Sequence, residues 1–350
     1  MPANLKLSQQ QSGSALILAV LVAAIVAVMG TELAQDFLLS YKRVENRLLD
    51  RQAQLYLLAA EEIAVAALSS DAAAGASDSL LEAWAQPLPP LPTDAGFVQV
   101  QIQDAQGRFN LNSLAQRSAA LGELGLPLQQ RFTPQQMAFI RLLQELEEPR
   151  LAEAEAVALT EALIDWVDAD DASTGVGGAE SLYYVNEVPA YGPANQPFRS
   201  TGELQLLRHV TPQLYQQLLP HVTVLPEATT VNLNTAAPAV LSVLLPPGSA
   251  HAGQLQHVLR RQQTQPYLSM EDIAADPALA ALAASGATQR PFAAASRYFL
   301  VQARVQQAGV ERSLQSLLYR GDDGVRILSR HFGLPLAAPP LFDGPDGPGT

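Results

Sequence analysis

"SALILAVLVAAIVAVMGT", residues 14–31, runs without a break into "ELAQDFLLSYKRVENRLLDRQAQLYLLAAEEIAVAALSSDAAA", residues 32–74. The first stretch carries no charge; as a helix rising 1.5 Å per residue it spans about 27 Å, close to the roughly 30 Å hydrocarbon core of a bilayer. From Thr31 to Ala74 neither Gly nor Pro interrupts the chain. Leu33, Phe37, Tyr41, Val44, Leu48, Leu55 and Ala59 fall at the three- and four-residue spacing of one helical face. The two stretches therefore read as one continuous helix of roughly 55 residues, about 80 Å long.

What precedes the apolar run is short and polar: "MPANLKLSQQQSG", residues 1–13, with Lys6 its only basic side chain. Three readings compete. A cleaved signal peptide wants a basic start and a small-residue cleavage site after the apolar run, where this helix instead continues. A plain membrane anchor would keep its leader. In a prepilin the leader ends before the apolar run, here at Gly13, and a prepilin peptidase cuts there to leave Ser14 first. The uninterrupted helix favours the third reading.

Working outward, "QPLPPLP" (86–92) reads as a stiff linker. "GFVQVQIQ" (96–103) alternates strictly, as a half-buried strand does. "DAQG" (104–107) reads as a turn, and "RFNLNSL" (108–114) as a returning strand entering a helix capped by Asn112. Residues 113–290 read as mostly helical, with breaks at prolines. Three strand-like runs then follow, separated by "QQAG" and "GDDG", a meander. The Pro/Gly-rich end, 334–350, reads as disordered. One sheet is thus assembled from strands on both sides of a helical insert, an α+β architecture. "FNLNSL" (109–114) and "VNLNTAAPAVL" (231–241) echo each other, either as two Asn-capped helices or as an internal duplication.

Composition narrows function. The chain has 21 basic and 34 acidic residues, a formal charge of −13, and its only lysines are Lys6 and Lys42. It has no electrostatic reason to approach nucleic acid. A helix-hairpin-helix-like stretch near 235–263 has an imperfect glycine pattern and does not change that. Without cysteine, thiol catalysis and disulfides are excluded. The five histidines show no metalloprotease spacing, and neither a nucleophile elbow nor a Walker loop occurs.

One loop stands out: "DWVDADDASTGVGGAE", residues 165–180, crowds four aspartates into seven positions with no lysine or arginine among them. Asp168 and Asp170 fit the first two ligand positions of an EF-hand, but Ala172 and Ser173 break that pattern and Glu180 arrives one residue late. On spacing alone the loop is either a solvated acidic run or an oxygen-ligand cation site. Trp166 and "LYY" (182–184) bring apolar surface close, which raises the cost of unpaired carboxylates.

Together, "SGSALILAVLV" (12–22), "GRFNLNSL" (107–114), "DWVDADDASTGVGGAESLYY" (165–184), "PAYGPANQPFRSTGELQLL" (189–207), "VNLNTAAPAVL" (231–241) and the closing meander resemble the minor pseudopilin K family of bacterial type II secretion systems. The resemblance implies a type IV pilin-like long N-terminal helix plus antiparallel sheet, with a large inserted α-helical (SAM/helix-hairpin-helix-like) domain. It divides the chain into a leader (1–13), an N-terminal helix (14–70, membrane segment 14–31), a pilin-like first part (71–112), the insert (113–290), the meander (291–333) and the tail (334–350). It implies calcium in the acidic loop, with Asp168, Asp170, Glu180 and Asn195 as candidate ligands and Asp171 assisting. It implies cleavage between Gly13 and Ser14 by the prepilin peptidase, with N-methylation, and a single-pass inner-membrane subunit whose soluble domain is periplasmic. Implied partners are minor pseudopilins I and J, with H and the major pseudopilin G beyond them, and the role is structural. A membrane-anchored calcium-binding adhesion or substrate-recognition module is the alternative. Pilin-like proteins generally carry Glu as fifth mature residue; here that residue is Leu18, and the nearest carboxylate is Glu32.

Overall fold

The computed structural model describes residues 11–116, 118, 121–248, 251–280 and 291–333. Helix α1 (Gln11–Ala74) is 64 residues long, about 96 Å at 1.5 Å per residue. It starts three residues inside the segment read as leader. Its segment from Ser14 has the length and apolarity to cross a membrane, with a mean hydropathy of 2.6 and no part of that window buried. From about Ala53 to Leu68 the helix lies on a five-stranded antiparallel sheet in the order β1 (Leu91–Thr93), β2 (Gly96–Asp104), β7 (Tyr298–Gln307), β8 (Val310–Gly321) and β9 (Gly324–Gly333). β7, β8 and β9 are the expected meander, and the first hairpin turns through Ala308 and Gly309, both at positive φ.

The face of α1 that meets the sheet is made of Ala53, Leu57, Ala60, Ala64 and Leu68, all buried. Three of these are alanines, which let the helix lie close over Val100, Ile102, Phe299 and Val301. Of the stripe that marks the helix in sequence, Leu33 through Val44 fall in a stretch exposed on every side, ahead of the part that meets the sheet, and Leu48 and Leu55 are exposed as well.

Between β2 and β7 the chain makes the second core. It contains α2 (Leu128–Arg131), α3 (Pro134–Glu145), α4 (Glu153–Val167), α5 (Ser181–Tyr184), α6 (Pro212–Leu218), α7 (Pro238–Leu244), α8 (His251–Thr264) and α9 (Met270–Ala275). Short strands β3 (Phe109–Asn110) and β4 (Val222–Thr223) pair in parallel, as do β5 (Val231–Asn232) and β6 (Phe292–Ala293).

Three local expectations are corrected. The end of the proline-rich linker is edge strand β1, whose Pro92 is tolerated because an edge can spare a backbone donor. "RFNLNSL" does not return on β2: Phe109–Asn110 pairs with Val222–Thr223 instead. The cap of the following 3-10 turn is Asn110, whose side chain accepts from Asn112 N at 3.1 Å. Asn112 is turned inward, donating to the carbonyls of Phe198 and Leu225 and accepting from Phe198 N. The tail expectation (334–350) lies outside the described residues.

The echo at 231–241 follows the same template. Asn232 accepts from Asn234 N, and Asn234 donates to the Tyr267 and Ala294 carbonyls and accepts from Tyr267 N. Two Asn-Leu-Asn turns, each leaving a two-residue parallel strand, bracket two later segments identically. That favours the duplication over two independent caps.

The orientation of the insert follows from side-chain pairs. Moving along α1 away from the apolar segment, Asp50 pairs with Arg312 at 2.7 Å, Glu61 accepts from Ser316, and Asp71 pairs with Arg320 at 2.8 Å. β8 therefore runs away from the membrane segment. Asp104, the last residue of β2, is opposite Phe299, which is opposite Leu318. The insert thus leaves and rejoins the sheet at its membrane-distal end. Buried Asp104 fastens that junction, accepting from Gln106 N (2.7 Å), Asn232 Nδ2 (2.8 Å), Thr235 Oγ1 (2.6 Å) and Ser296 Oγ (2.6 Å).

Candidate metal centre

The acidic loop begins where α4 ends. Asp165 and Asp168 are three residues apart at that terminus, so they share a face. Carboxylates there stand beside the negative end of the helix dipole, which adds to their mutual repulsion and makes the place favourable for a cation. The loop then doubles back so that Glu180, at the cap position of α5, arrives at the same point.

Carboxylate oxygens of Asp165, Asp168 and Glu180 lie within 4.8 Å of one another. Asp165 is buried and accepts from Thr174 N through both oxygens at 3.0 Å. Glu180 is only 3% exposed, and neither of its carboxylate oxygens has a hydrogen-bond partner. Its pKa is pushed up to about 8, first by burial and then by Asp165, Asp168, Asp171 and Asp170. Trp166 and Tyr184, on either side of the loop in sequence, are buried and pack on each other, ring centroids 5.4 Å apart and near perpendicular.

Of the five ligands expected from sequence, the structure brings Asp168 and Glu180 into this group. Asp170 and Asp171 are exposed and stand outside it: Asp170 accepts from Ala172 N at 2.9 Å and Asp171 from Ser181 N at 3.2 Å. Asn195, exposed and at φ 46°, comes alongside through its N–H to the Trp166 carbonyl at 3.0 Å. Asp165, which the EF-hand-like spacing does not single out, joins this group. The signal was available, since it is the one acid inside the apolar run "ALIDWV" (162–167).

The donor set suits a hard cation. Oxygens sharing one Ca²⁺ at about 2.4 Å stand no more than about 4.8 Å apart, and Ca²⁺ accepts an irregular cage of carboxylates and carbonyls. An ion would also relieve the desolvation of Glu180, whose oxygens find no hydrogen-bond partner among the described residues. What the arrangement can do is bind a cation and brace the loop that carries it.

A helix long and apolar enough to cross a membrane, laid in its later part on an antiparallel sheet, with a helical body held to the sheet's far end and an acid loop inside that body, is the architecture of a pilin-type structural subunit. Comparison with known proteins narrows the class. The family described as type II secretion system protein K matches residues 107–227 and 231–294, together more than half of the chain. Type II secretion system protein K of Pseudomonas aeruginosa is 33% identical over 332 residues, covering 92% of this chain and 93% of the relative. That of Klebsiella pneumoniae is 31% identical, covering 94% and 98%. A chain of the crystal structure of the GspK-GspI-GspJ complex from enterotoxigenic Escherichia coli shares the fold, with a TM-score of 0.67 at 24% identity over 83% of this chain and 99% of that one. The chain belongs to the type II secretion system protein K family. It is a minor pseudopilin, a structural component of the secretion machinery and not an enzyme.

Proposed function

We propose that this minor pseudopilin is the tip subunit of the pseudopilus, seated on minor pseudopilins I and J, with calcium bracing its 165–180 loop. The observation that carries the reading is the attachment of the insert at the membrane-distal end of the sheet, where Asp104 leaves and Tyr298 returns. In a shaft whose subunits rise one above another, a second folded body at that end occupies the space of the next subunit. Leu18 agrees with this: a carboxylate in the bilayer costs roughly 2.5–3.5 kcal/mol on insertion scales and is worth keeping only where a partner neutralises it. A subunit with nothing above it has no such use.

The fold shared with a chain of the K–I–J complex supports I and J as the neighbours, with H and the major pseudopilin G beneath them. Cleavage by the prepilin peptidase between Gly13 and Ser14, N-methylation of Ser14, and an inner-membrane anchor with a periplasmic body complete the reading, as does a SAM/helix-hairpin-helix-like insert. Buried Glu180 with its two unbonded oxygens supports calcium, for which Asp165 and Asp168 are the companion ligands. The adhesion-module alternative yields to the family membership. Labelling of isolated fibres with antibody against the insert tests the tip position. Label at one end of each fibre is the expected result, and label repeated along the shaft overturns it.

A further inference from the structure

We propose that Glu161 and Arg131, neither of them a metal ligand, are positioning residues that pre-form the cation loop. The proposal rests on the calcium reading and deepens it. Arg131 Nη2 meets Glu161 Oε1 at 2.7 Å, and the two side chains are 7% and 3% exposed. Burying both charges costs several kcal/mol per ion before their attraction offsets it, and an apolar pair of similar volume would serve stability as well or better. A specific task for the anion accounts for its place.

That task is visible at the other oxygen. Glu161 Oε2 accepts from Val176 N at 3.1 Å and from Gly177 N at 2.7 Å. One turn further along α4, Asp165 accepts from Thr174 N. The same helix face therefore holds three amides of one five-residue segment through two carboxylates at i and i+4. Gly178 N closes the segment onto the Thr174 carbonyl at 3.1 Å. On its far side, Arg208 Nη1 donates to the Gly178 carbonyl at 3.1 Å, and the His209 ring nitrogen Nε2 lies 3.2 Å from the Gly177 carbonyl. Gly175, at φ +60°, sits so close that a Cβ would be driven into the Glu161 carboxylate.

Two consequences follow for the metal group. Residues 174–178 are fixed before any ion arrives, and Glu180, two residues on, inherits that fixed position. By taking the Val176 and Gly177 amides, Glu161 also leaves Asp165 to hold Thr174 N from within the carboxylate group. Arg131 holds Glu161 in the orientation that does this, with its Nε on the Leu121 carbonyl at 3.3 Å.

The experiment uses the full chain in detergent, with calcium chloride titrated by calorimetry and amide hydrogen exchange followed in chelator. Glu161→Gln keeps the shape and removes the charge. It is expected to weaken calcium binding at least tenfold, the usual range for partners that orient ligands being 10–100-fold, and to speed exchange at Val176 and Gly177. Leu143→Ala, in the insert core, is the control: it lowers the melting temperature in chelator and leaves calcium affinity unchanged. Glu161→Gln with wild-type calcium affinity but lowered stability would mean a merely structural pair and overturn the proposal. A wild-type chain that takes up no calcium would instead overturn the cation reading itself.

Discussion

Glu180 is the residue where the chemistry of the loop concentrates. Its raised pKa, about 8 against an ordinary 4.5, fixes the sign of a pH dependence. A carboxyl whose folded pKa lies above its unfolded value adds stability that is complete below the unfolded pKa and lost as pH rises through the folded one. Without calcium, the melting temperature is therefore expected to fall between about pH 5 and about pH 9 by an amount that Glu180→Gln removes. Calcium binds the anion and displaces the proton, so the stabilisation it gives should grow over the same range. At an ion concentration a hundred times Kd that stabilisation is about 2.7 kcal/mol. In a domain of this size it raises the melting temperature by roughly 2–4 °C per kcal/mol. Asp165→Asn should lose most of this increment, and scanning calorimetry with calcium and with chelator reads both effects. Equal curves for the wild-type chain under the two conditions would remove calcium from the site.

At the scale of elements, α1 has two jobs divided along its length. The polar segment that ends at Gly13 meets an uncharged helix, and processing is expected between Gly13 and Ser14. Gly13→Val should leave the precursor uncut, read as an intact mass that retains residues 1–13. A mature N-terminus beyond Gly30 would point to an ordinary signal peptide instead. Further along, the helix is pinned to the meander by a buried charge: Glu61 is 0% exposed, accepts from the Ser316 hydroxyl and pairs with Arg330 Nη2 at 2.6 Å. Arg330→Ala leaves that carboxylate buried with one hydroxyl and should cost about 3 kcal/mol, the low end for a broken buried pair because Arg330 is half exposed. Glu61→Leu combined with Arg330→Leu should recover most of the loss in urea unfolding. A double variant as unstable as the single one would show that packing, not the unpaired charge, sets the cost.

For the whole molecule, the arrangement that matters is two bodies toward the end of α1 away from its apolar segment: the sheet beside Ala53–Leu68 and the insert beyond the sheet. The exposed stripe of Leu33, Phe37, Tyr41, Val44, Leu48 and Leu55 is left over once α1 has met its own sheet. Residues from about 45 onward, which drop the apolar segment but keep the Ala53–Leu68 face of α1 on the sheet, are expected to co-purify with the soluble domains of minor pseudopilins I and J as one heterotrimer of fixed mass. Elution of the three as separate species in size-exclusion chromatography with light scattering would count against the assembly.

The parts of the protein with a local signal were legible in its sequence. An uncharged run of bilayer length, the strict alternation of "GFVQVQIQ" and the positive-φ turn before β8 each declare themselves within a few residues, because helix and strand periodicities are short-range. Asp168 and Glu180 were legible for the same reason, as charges crowded into one loop. Tertiary structure alone decided the rest. Which face of α1 is buried depends on alanines meeting a sheet that forms more than 200 residues later. Whether Asn110 or Asn112 caps a turn depends on Phe198 and Leu225. Asp165 is marked in the sequence as an acid inside an apolar run, but that it stands with Asp168 and Glu180, and that Glu161 holds the loop amides, depends on α4 and the glycine loop folding against each other. A carboxylate's role is set by which donors surround it in space, and chain order does not encode that neighbourhood.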